Sequence, residues 1–323
     1  MKDIKISIVM PVYNVALYLR EMLDSILNQT IDGNFQLIII NDGSTDESKK
    51  IIEEYKSKFN NLLYLEQENK GVSVARNLGI RYIEGKYTIF LDSDDYIEKD
   101  MFKLMYDKAE EESADTVICG YKKVYDYKNK YEEEYLFKNI KDKVYNNLEV
   151  CERMLSMEIE GFTWNKLFLS KNIRDSIYFD TKRTIEDWFP IFKEIYKSKK
   201  IVFVNKPLYY YRQRESSALH QKSIKKINDY NFAVKSILTY IKKENMKIDE
   251  KKYFDFIAKV QATEISDYTD IDKNIKNDVY KKYKLCELNN YQCLFRIKCG
   301  IKSKIKLILY NLNILHYAYK FKK

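Results

Sequence analysis

Apolar and polar positions fall in alternating blocks through the first third of the chain. An apolar run from Ile4 to Met10 ends in Pro11-Val12-Tyr13-Asn14. A second run, Phe35 to Ile40, ends in Asn41-Asp42-Gly43-Ser44-Thr45-Asp46. A third, Leu62 to Leu65, precedes Asn69-Lys70-Gly71-Val72-Ser73-Val74-Ala75-Arg76-Asn77. A fourth, Lys86 to Leu91, closes on Asp92-Ser93-Asp94-Asp95. Segments of helical period separate them, at Ala16–Asn28, Glu47–Phe59 and Val72–Ile83. Apolar strands that alternate with helices predict a parallel sheet covered on both faces. Each polar motif follows a strand, so all four converge on the carboxyl edge, where open α/β sheets bind ligands.

Two carboxylates one residue apart at that edge, Asp92 and Asp94, form a hard-oxygen pair suited to Mn²⁺ or Mg²⁺. Such ions are held by one or two carboxylates together with substrate phosphates. An isolated Asp-Ser-Asp string is more often a solvated turn. The companion motifs on the same edge change that reading. Ser44 and Glu47 have the spacing of a helix capping box rather than of chemistry. The first strand is not followed by G-x-G-x-x-G, which argues against a dinucleotide-binding dehydrogenase.

In order and spacing, Pro11–Asn14, Asp42–Asp46, Gly71–Asn77 and Asp92–Asp95 resemble the four signatures of family 2 glycosyltransferases. These are inverting enzymes with the GT-A fold, and the resemblance covers residues 1–120. It implies an α/β fold, a Rossmann-like and mostly parallel sheet flanked by helices, and the helical reading from Ile224 onward adds a C-terminal helical extension. The implied division is a glycosyltransferase domain over 1–222, with a nucleotide-sugar half (1–120) and an acceptor half (121–222), then a helical, basic region over 223–323. The resemblance further implies a UDP-sugar donor and Mn²⁺ or Mg²⁺. Asp94 would bind the metal, and Asp92 the ribose or the metal. Asp95 would support them. Asp42 would accept from the uracil N–H, Tyr13 would lie against the ring, and Arg76 would sit near the base carbonyl. Pro11 and Ser93 complete the donor set. Arg76 would also be explained by a salt bridge to the acids, which is compatible with that role.

Further along, Trp164-Asn165-Lys166-Leu167-Phe168 followed by Glu186-Asp187 resembles the acceptor half of non-processive members. There the Asp of the Glu-Asp pair is the general base, which points to Asp187. Acids at a helix N-terminus are also favoured by the dipole alone. Tyr211–His220 resembles the closing loop of these enzymes. Arg212 and Arg214 would then reach the diphosphate or acceptor, and surface charge on a turn is their other reading. His220 is a weaker metal candidate, since a lone His is more often not a ligand. The segment is not the Gln-x-x-Arg-Trp motif of processive synthases, so one sugar per encounter is expected.

The chain of 323 residues can hold one large domain and an appendage. Only 8 Gly and 3 Pro argue against long loops. An excess of Lys, Asn, Ile and Tyr points to an AT-rich genome, and explains most of the tyrosines. Five cysteines without a Cys-x-x-Cys pair read as reduced thiols. The chain enters a strand at once, so no signal peptide is expected. Tyr121–Asn147 is charged and Tyr-rich with little periodicity, and no role is assigned to it. Later helices are expected at 144–157, 186–197, 224–244 and 250–269, and short strands at 201–204 and 208–211.

Charge is concentrated at the end. Residues 279–323 carry eleven Lys/Arg against one acid, Glu287, while the whole chain is +9. Ile301, Ile305, Ile308, Leu312, Leu315 and Tyr319 repeat there at helical spacing. Two readings stand open: a helix packed on the body with a solvated basic face, or an interfacial helix on an anionic membrane surface. The uncharged run Leu307–Tyr319 is too short to span a bilayer. No nucleic-acid-binding motif accompanies the charge, so no nucleic-acid partner is expected.

The combined expectation is a metal-dependent inverting hexosyltransferase. It would move one hexose or N-acetylhexosamine from a UDP-sugar to a growing glycan. The acceptor would be a lipid-linked oligosaccharide in cell-surface or capsular polysaccharide synthesis, met in the cytoplasm at the inner membrane face. A glycoprotein glycan is the alternative acceptor. Outside the enzyme class, an inactive sugar-nucleotide-binding or scaffold protein is the alternative.

Overall fold

A computed structural model describes residues 4–31, 34–125, 131–176, 178–214, 223–257 and 259–260. The chain divides into two compact units, Met1–Val150 with Glu160–Ser217, and Cys151–Ile159 with Ala218–Lys323.

Among the described residues, the first unit is built on a nine-stranded mixed sheet. Strands β1 (Ile6–Val12), β2 (Phe35–Asn41), β3 (Leu62–Glu66) and β4 (Tyr87–Phe90) run parallel in the order β3-β2-β1-β4. Their connecting helices are α1 (Ala16–Leu27), α2 (Ser48–Tyr55) and α3 (Val72–Ile80). The short β5 (Tyr96–Ile97) and helix α4 (Met101–Glu112) follow. Next come β6 (Thr116–Tyr125), β7 (Tyr131–Tyr135), α5 (Asn147–Leu155), β8 (Lys166–Leu169), α6 (Ser170–Ser176), α7 (Trp188–Lys197) and β9 (Ile201–Arg212). β8 pairs antiparallel with β4 and β6, and β9 pairs parallel with β6.

Strands β1, β2 and β4 are buried on both sides because both are covered. Ile6, Ile8, Met10 and Val12 of β1 join Leu19, Leu23, Ile52 and Phe102 of the helices in one core. On the other face α3 comes so close that a Cβ on Gly79 would lie 2.5 Å from Val9 Cγ1. Pro11 is tolerated in a central strand for a local reason. Asp42 N–H bonds Val12 O on one side and Leu91 N–H bonds Val9 O on the other. Alternation therefore turns the nitrogen of residue 11 toward β4, whose pairing ends at Val9↔Phe90. No ladder donor is needed there.

Three expectations are revised. The proposed capping box at Ser44 and Glu47 does not form: α2 starts at Ser48, and Ser44 Oγ instead accepts from Asn14 N–H at 3.2 Å. A tertiary partner at the end of β1 displaces the local one. The two short strands at 201–204 and 208–211 are one strand, β9, with an irregular register where Gly120 meets Pro207. Part of the unassigned 121–147 segment is ordered pairing. β7 lies against β6, with Lys122 bonded to Glu132 and Glu134 and Tyr121 stacked on Tyr135 at 4.8 Å.

In the second unit α8 (Ile224–Lys243) buries Ile227, Val234, Ile237, Leu238 and Ile241. Ser223 caps it by accepting from Lys226 N–H at 3.2 Å. Lys252 pairs with Glu152 at 2.6 Å. Among the described residues no helix is long and apolar enough to cross a membrane. Cys119 and Cys151 are buried free thiols. The basic tail at 279–323 and its apolar stripe, together with His220, lie outside the described residues.

Candidate active site

Parallel register brings the ends of β1 to β4 to one edge, and hydrogen bonds between their loops hold it. Asn14 sits at φ 50°, a region that Asn tolerates better than most side chains. Its Oδ1 accepts from Thr45 N–H at 2.8 Å. Asp46 Oδ2 accepts from Ala16 N–H at 2.9 Å, and Ser48 Oγ from Val15 N–H at 3.1 Å. Tyr13, between these anchors, is 46% exposed. Pro11 is buried in β1.

Asp42 organises the next loop. Its Oδ1 accepts from Gln67 Nε2 at 2.6 Å and Lys70 N–H at 2.9 Å. Oδ2 accepts from Gly71 N–H at 2.8 Å. Gly71 has φ 91°, where only glycine is unstrained, and it opens α3.

From α3, Arg76 reaches the centre of the site. It is 4% exposed. One guanidinium nitrogen donates to Asp92 Oδ1 at 2.8 Å, and the other to Glu186 Oε1 at 2.6 Å. Its Nε has no partner among the described residues. Burial works against its charge, but Asp92, Glu186 and Asp187 together hold it firmly protonated. Arg76 thus ties the acids after β4 to Glu186 at the start of α7, which lies 110 positions beyond Arg76 itself. Asn77 fastens the intervening segment by exchanging bonds with the backbone of Phe179 at 2.9 and 3.0 Å.

The three acids after β4 have different surroundings. Asp92 is partly exposed and faces Arg76. Ser93 is buried. Asp94 pairs with Arg214 at 2.5 Å. Burial pushes the Asp94 carboxyl up, Arg214 opposes this, and the charge of Asp92 adds to it. Asp95 is fully buried, accepting from Tyr209 Oη at 2.6 Å and Arg212 N–H at 2.7 Å. Burial, then Asp94 and Asp92, push its carboxyl well up. Asp95 therefore fastens the acidic loop to β9.

Arg212 is also committed to the framework. Its Nε donates to Asp94 O at 3.0 Å, its guanidinium bonds Glu21, and it lies over Tyr18 and Tyr96. Arg214 is the more exposed of the two arginines.

Asp187 precedes α7, and its carboxylate makes no capping bond to the helix. Burial and then the neighbouring charge of Glu186 push its carboxyl up, against the pull of Arg76. Glu186 is likewise raised by burial, with Arg76 opposing. A carboxylate in such surroundings binds a proton more readily than one in water.

The structure thus gathers Asp92, Arg76 and Asp187 in one cluster, with Asp94 and Arg214 paired beside it. Several contributors carried no signal that sequence reasoning used. Gln67 and Tyr209 are ordinary residues of a loop and a strand, and Glu186 shows in the sequence only as half of a motif.

The chain matches the family described as Glycosyl transferase family 2 over residues 7–198, and it belongs to that family. It is 37% identical over 220 residues to glycosyltransferase GlyA of Streptococcus pneumoniae, covering 67% of this chain but 31% of GlyA. It is 32% identical to the putative glycosyltransferase EpsH of Bacillus subtilis, covering 76% of this chain and 71% of EpsH. It is 34% identical to the minor teichoic acid biosynthesis protein GgaB of Bacillus subtilis, covering 75% of this chain and 27% of GgaB. The chain thus spans less than a third of the length of two of these relatives. The fold is that of S. aureus TarS residues 1–349, solved in complex with UDP, with a TM-score of 0.73 at 20% identity over 99% of this chain and 92% of that one. The mannosyltransferase PcManGT of Pyrobaculum calidifontis, solved with GDP-Man and Mn²⁺, aligns with a TM-score of 0.53 at 12% identity over 96% of this chain and 87% of that one. The expected GT-A architecture is therefore the one observed.

Proposed function

We propose that this protein transfers one hexose or N-acetylhexosamine from a UDP-sugar to a hydroxyl of a growing cell-surface glycan, with inversion at the anomeric carbon. The observation that carries the reading is the Arg76 bridge, which couples the donor-side acid Asp92 to the Glu186-Asp187 pair. A donor-binding edge and a candidate base are thereby held in one electrostatic unit. TarS has also been solved with UDP-GlcNAc, and GgaB is named for teichoic acid synthesis, which supports this donor and acceptor class.

Each role follows from surroundings. A carboxylate offers about four lone-pair positions. Gln67, Lys70 and Gly71 use three at Asp42, leaving one for the uracil N–H. The exposed ring of Tyr13 would lie against the base, with the buried Arg76 near its carbonyl. Ser93 and Asp92 would border the ribose, and Arg214 and Arg212 would serve the diphosphate side. Asp187 takes the proton of the acceptor hydroxyl on its carboxylate while that oxygen attacks in line.

The donor set fits a divalent ion. Asp94 and Asp92 supply hard carboxylate oxygens, and among the described residues no larger cluster of ligands competes. The burial and mutual repulsion that raise the Asp94 carboxyl are relieved by a cation. Asp94, with Asp92, would hold Mn²⁺ or Mg²⁺, which would neutralise charge on the departing diphosphate. Calorimetry of UDP binding tests this. Affinity should rise about tenfold or more, roughly 1.4 kcal/mol, with Mn²⁺ relative to EDTA. Asp94→Ala should lose that gain, and equal affinities in both conditions would refute the assignment.

The acceptor is a lipid-linked oligosaccharide met at the inner face of the membrane. The support is the basic excess and apolar spacing of residues 279–323. Each basic residue near an anionic surface contributes about 1 kcal/mol, weakened by salt. Full-length protein should float with phosphatidylglycerol vesicles at low salt and release as salt rises. Indifference to those vesicles would leave the tail as packing or solvated surface.

A further inference from the structure

Lys166, in β8, is fully buried among core residues. Its ammonium donates three hydrogen bonds, to Glu160 O at 2.9 Å, Phe162 O at 2.8 Å and Asn165 Oδ1 at 2.8 Å. All three acceptors are neutral. A buried ammonium without a contacting carboxylate is costly, and an apolar side chain of similar volume is often the cheaper occupant of such a place. Burial pushes the amine down to about 8, and the charges of Glu160 and Asp187 work against that fall.

What the ammonium achieves is local. It draws two carbonyls of one turn, 160 and 162, onto a single point. Tyr121 Oη holds the same turn by donating to Glu160 Oε1 at 2.9 Å. The residue between the two carbonyls, Gly161, is pressed against the first residue of α7. A Cβ built on Gly161 would lie 2.4 Å from Trp188 Cδ1 and 2.8 Å from Trp188 Cα. Trp188 directly follows Asp187. The Asp187 backbone carbonyl is tied into α7 by Ile191 N–H at 2.9 Å, while its carboxylate makes no capping bond to orient it. The place of that carboxylate is therefore inherited from the backbone at the start of α7, and that start rests on Gly161.

We propose that Lys166 is a positioning residue for Asp187: its ammonium gathers the 160–162 turn, and that turn, through Gly161, seats Trp188 and the carboxylate before it. The inference rests on the reading of Asp187 as the general base. A displacement of an ångström at a reacting group can cost about 10²-fold in rate. Lys166 thus acts on turnover and leaves donor binding alone, because the loops that would hold UDP do not include the turn.

Lys166→Met keeps the volume and removes the three donors. Gly161→Ala leaves Lys166 intact and pushes on Trp188 from the same turn. Both are made in the full chain. UDP binding with Mn²⁺ is measured by calorimetry. UDP release is measured with the fastest donor among UDP-glucose, UDP-galactose, UDP-GlcNAc and UDP-GalNAc. For each variant the expectation is a UDP affinity within about twofold of the parent and a kcat per UDP-binding site lower by about 10²-fold, with donor KM nearly unchanged. The double variant should lose little more than either single one, because both act through one contact. A role in folding alone would reduce the number of UDP-binding sites without changing kcat per site. Parental kcat per site in either variant overturns the proposal. If Lys166→Met yields no folded protein, Gly161→Ala decides by the same split. Asp187→Asn is run alongside. Full turnover there sinks the base reading itself, whereas loss there with parental rates in the other two sinks only the role of Lys166.

Discussion

Replacing Asp187 by Asn is expected to lower turnover by about 10²-fold or more while leaving UDP affinity close to that of the parent. The change keeps size and removes the ability to accept a proton. The carboxylate borders the Glu186–Arg76–Asp92 cluster without a capping bond of its own. The same surroundings set the pH response. Burial and Glu186 raise the Asp187 carboxyl, with Arg76 opposing. A base works only when deprotonated, so activity should fall on acidification at a pH above the ordinary carboxylate range near 4. Initial rates of UDP release from pH 4 to 9 measure both effects. An Asp187→Asn enzyme with parental turnover would remove Asp187 from the chemistry.

Replacing Arg76 by Met is expected to lower both stability and activity, and it has the largest structural effect of any single change in the site. Arg76 is the shared partner of Asp92 and Glu186. Without it, buried acids face one another with no cation between them. Breaking a buried pair from one side costs about 3–5 kcal/mol, because a charge is left behind uncompensated. The partial exposure of Asp92 places the expected loss at the lower end, about 3 kcal/mol. Urea unfolding gives the value directly. Arg76→Lys should recover only part, since an ammonium cannot fork to two carboxylates as the guanidinium does. A loss below about 1 kcal/mol would mean that the cluster is solvated like a surface pair.

The parallel half of the sheet was legible because strands covered on both faces are apolar throughout, so their ends stand out. Met10, Ile40, Leu65 and Leu91 each border a polar motif, and those motifs meet at one edge. The antiparallel half was harder to read. β8 carries a fully buried lysine, β5 has two residues, and β7 reads Tyr-Glu-Glu-Glu-Tyr. None of these looks like a strand by its own composition. The pairing of β5 and β8 is decided by partners distant in sequence, as Tyr96 is by Tyr210 and Leu167 by Ile89. The capping box failed for the same reason. Ser44 had a local use and a tertiary one, and the tertiary bond to Asn14 prevailed.

In the site, residue types were legible and their partners were not. Asp92 and Asp187 stood out as acids at a strand end and a helix start. The bridge between them through Arg76 and Glu186 spans three separate segments and has no local signature. Arg212 and Arg214 looked alike in sequence. In the structure Arg212 is locked by Glu21 and the Asp94 carbonyl, while Arg214 faces the Asp94 carboxylate.

The central claim is a single in-line displacement assisted by Asp187, and the product's anomeric configuration tests it most directly. With an α-linked UDP-sugar as donor, proton NMR recorded early in the reaction should show a β-configured product, and Asp187→Asn should show almost none. A product that retains the α configuration would contradict both the displacement and the assignment of Asp187 as its base.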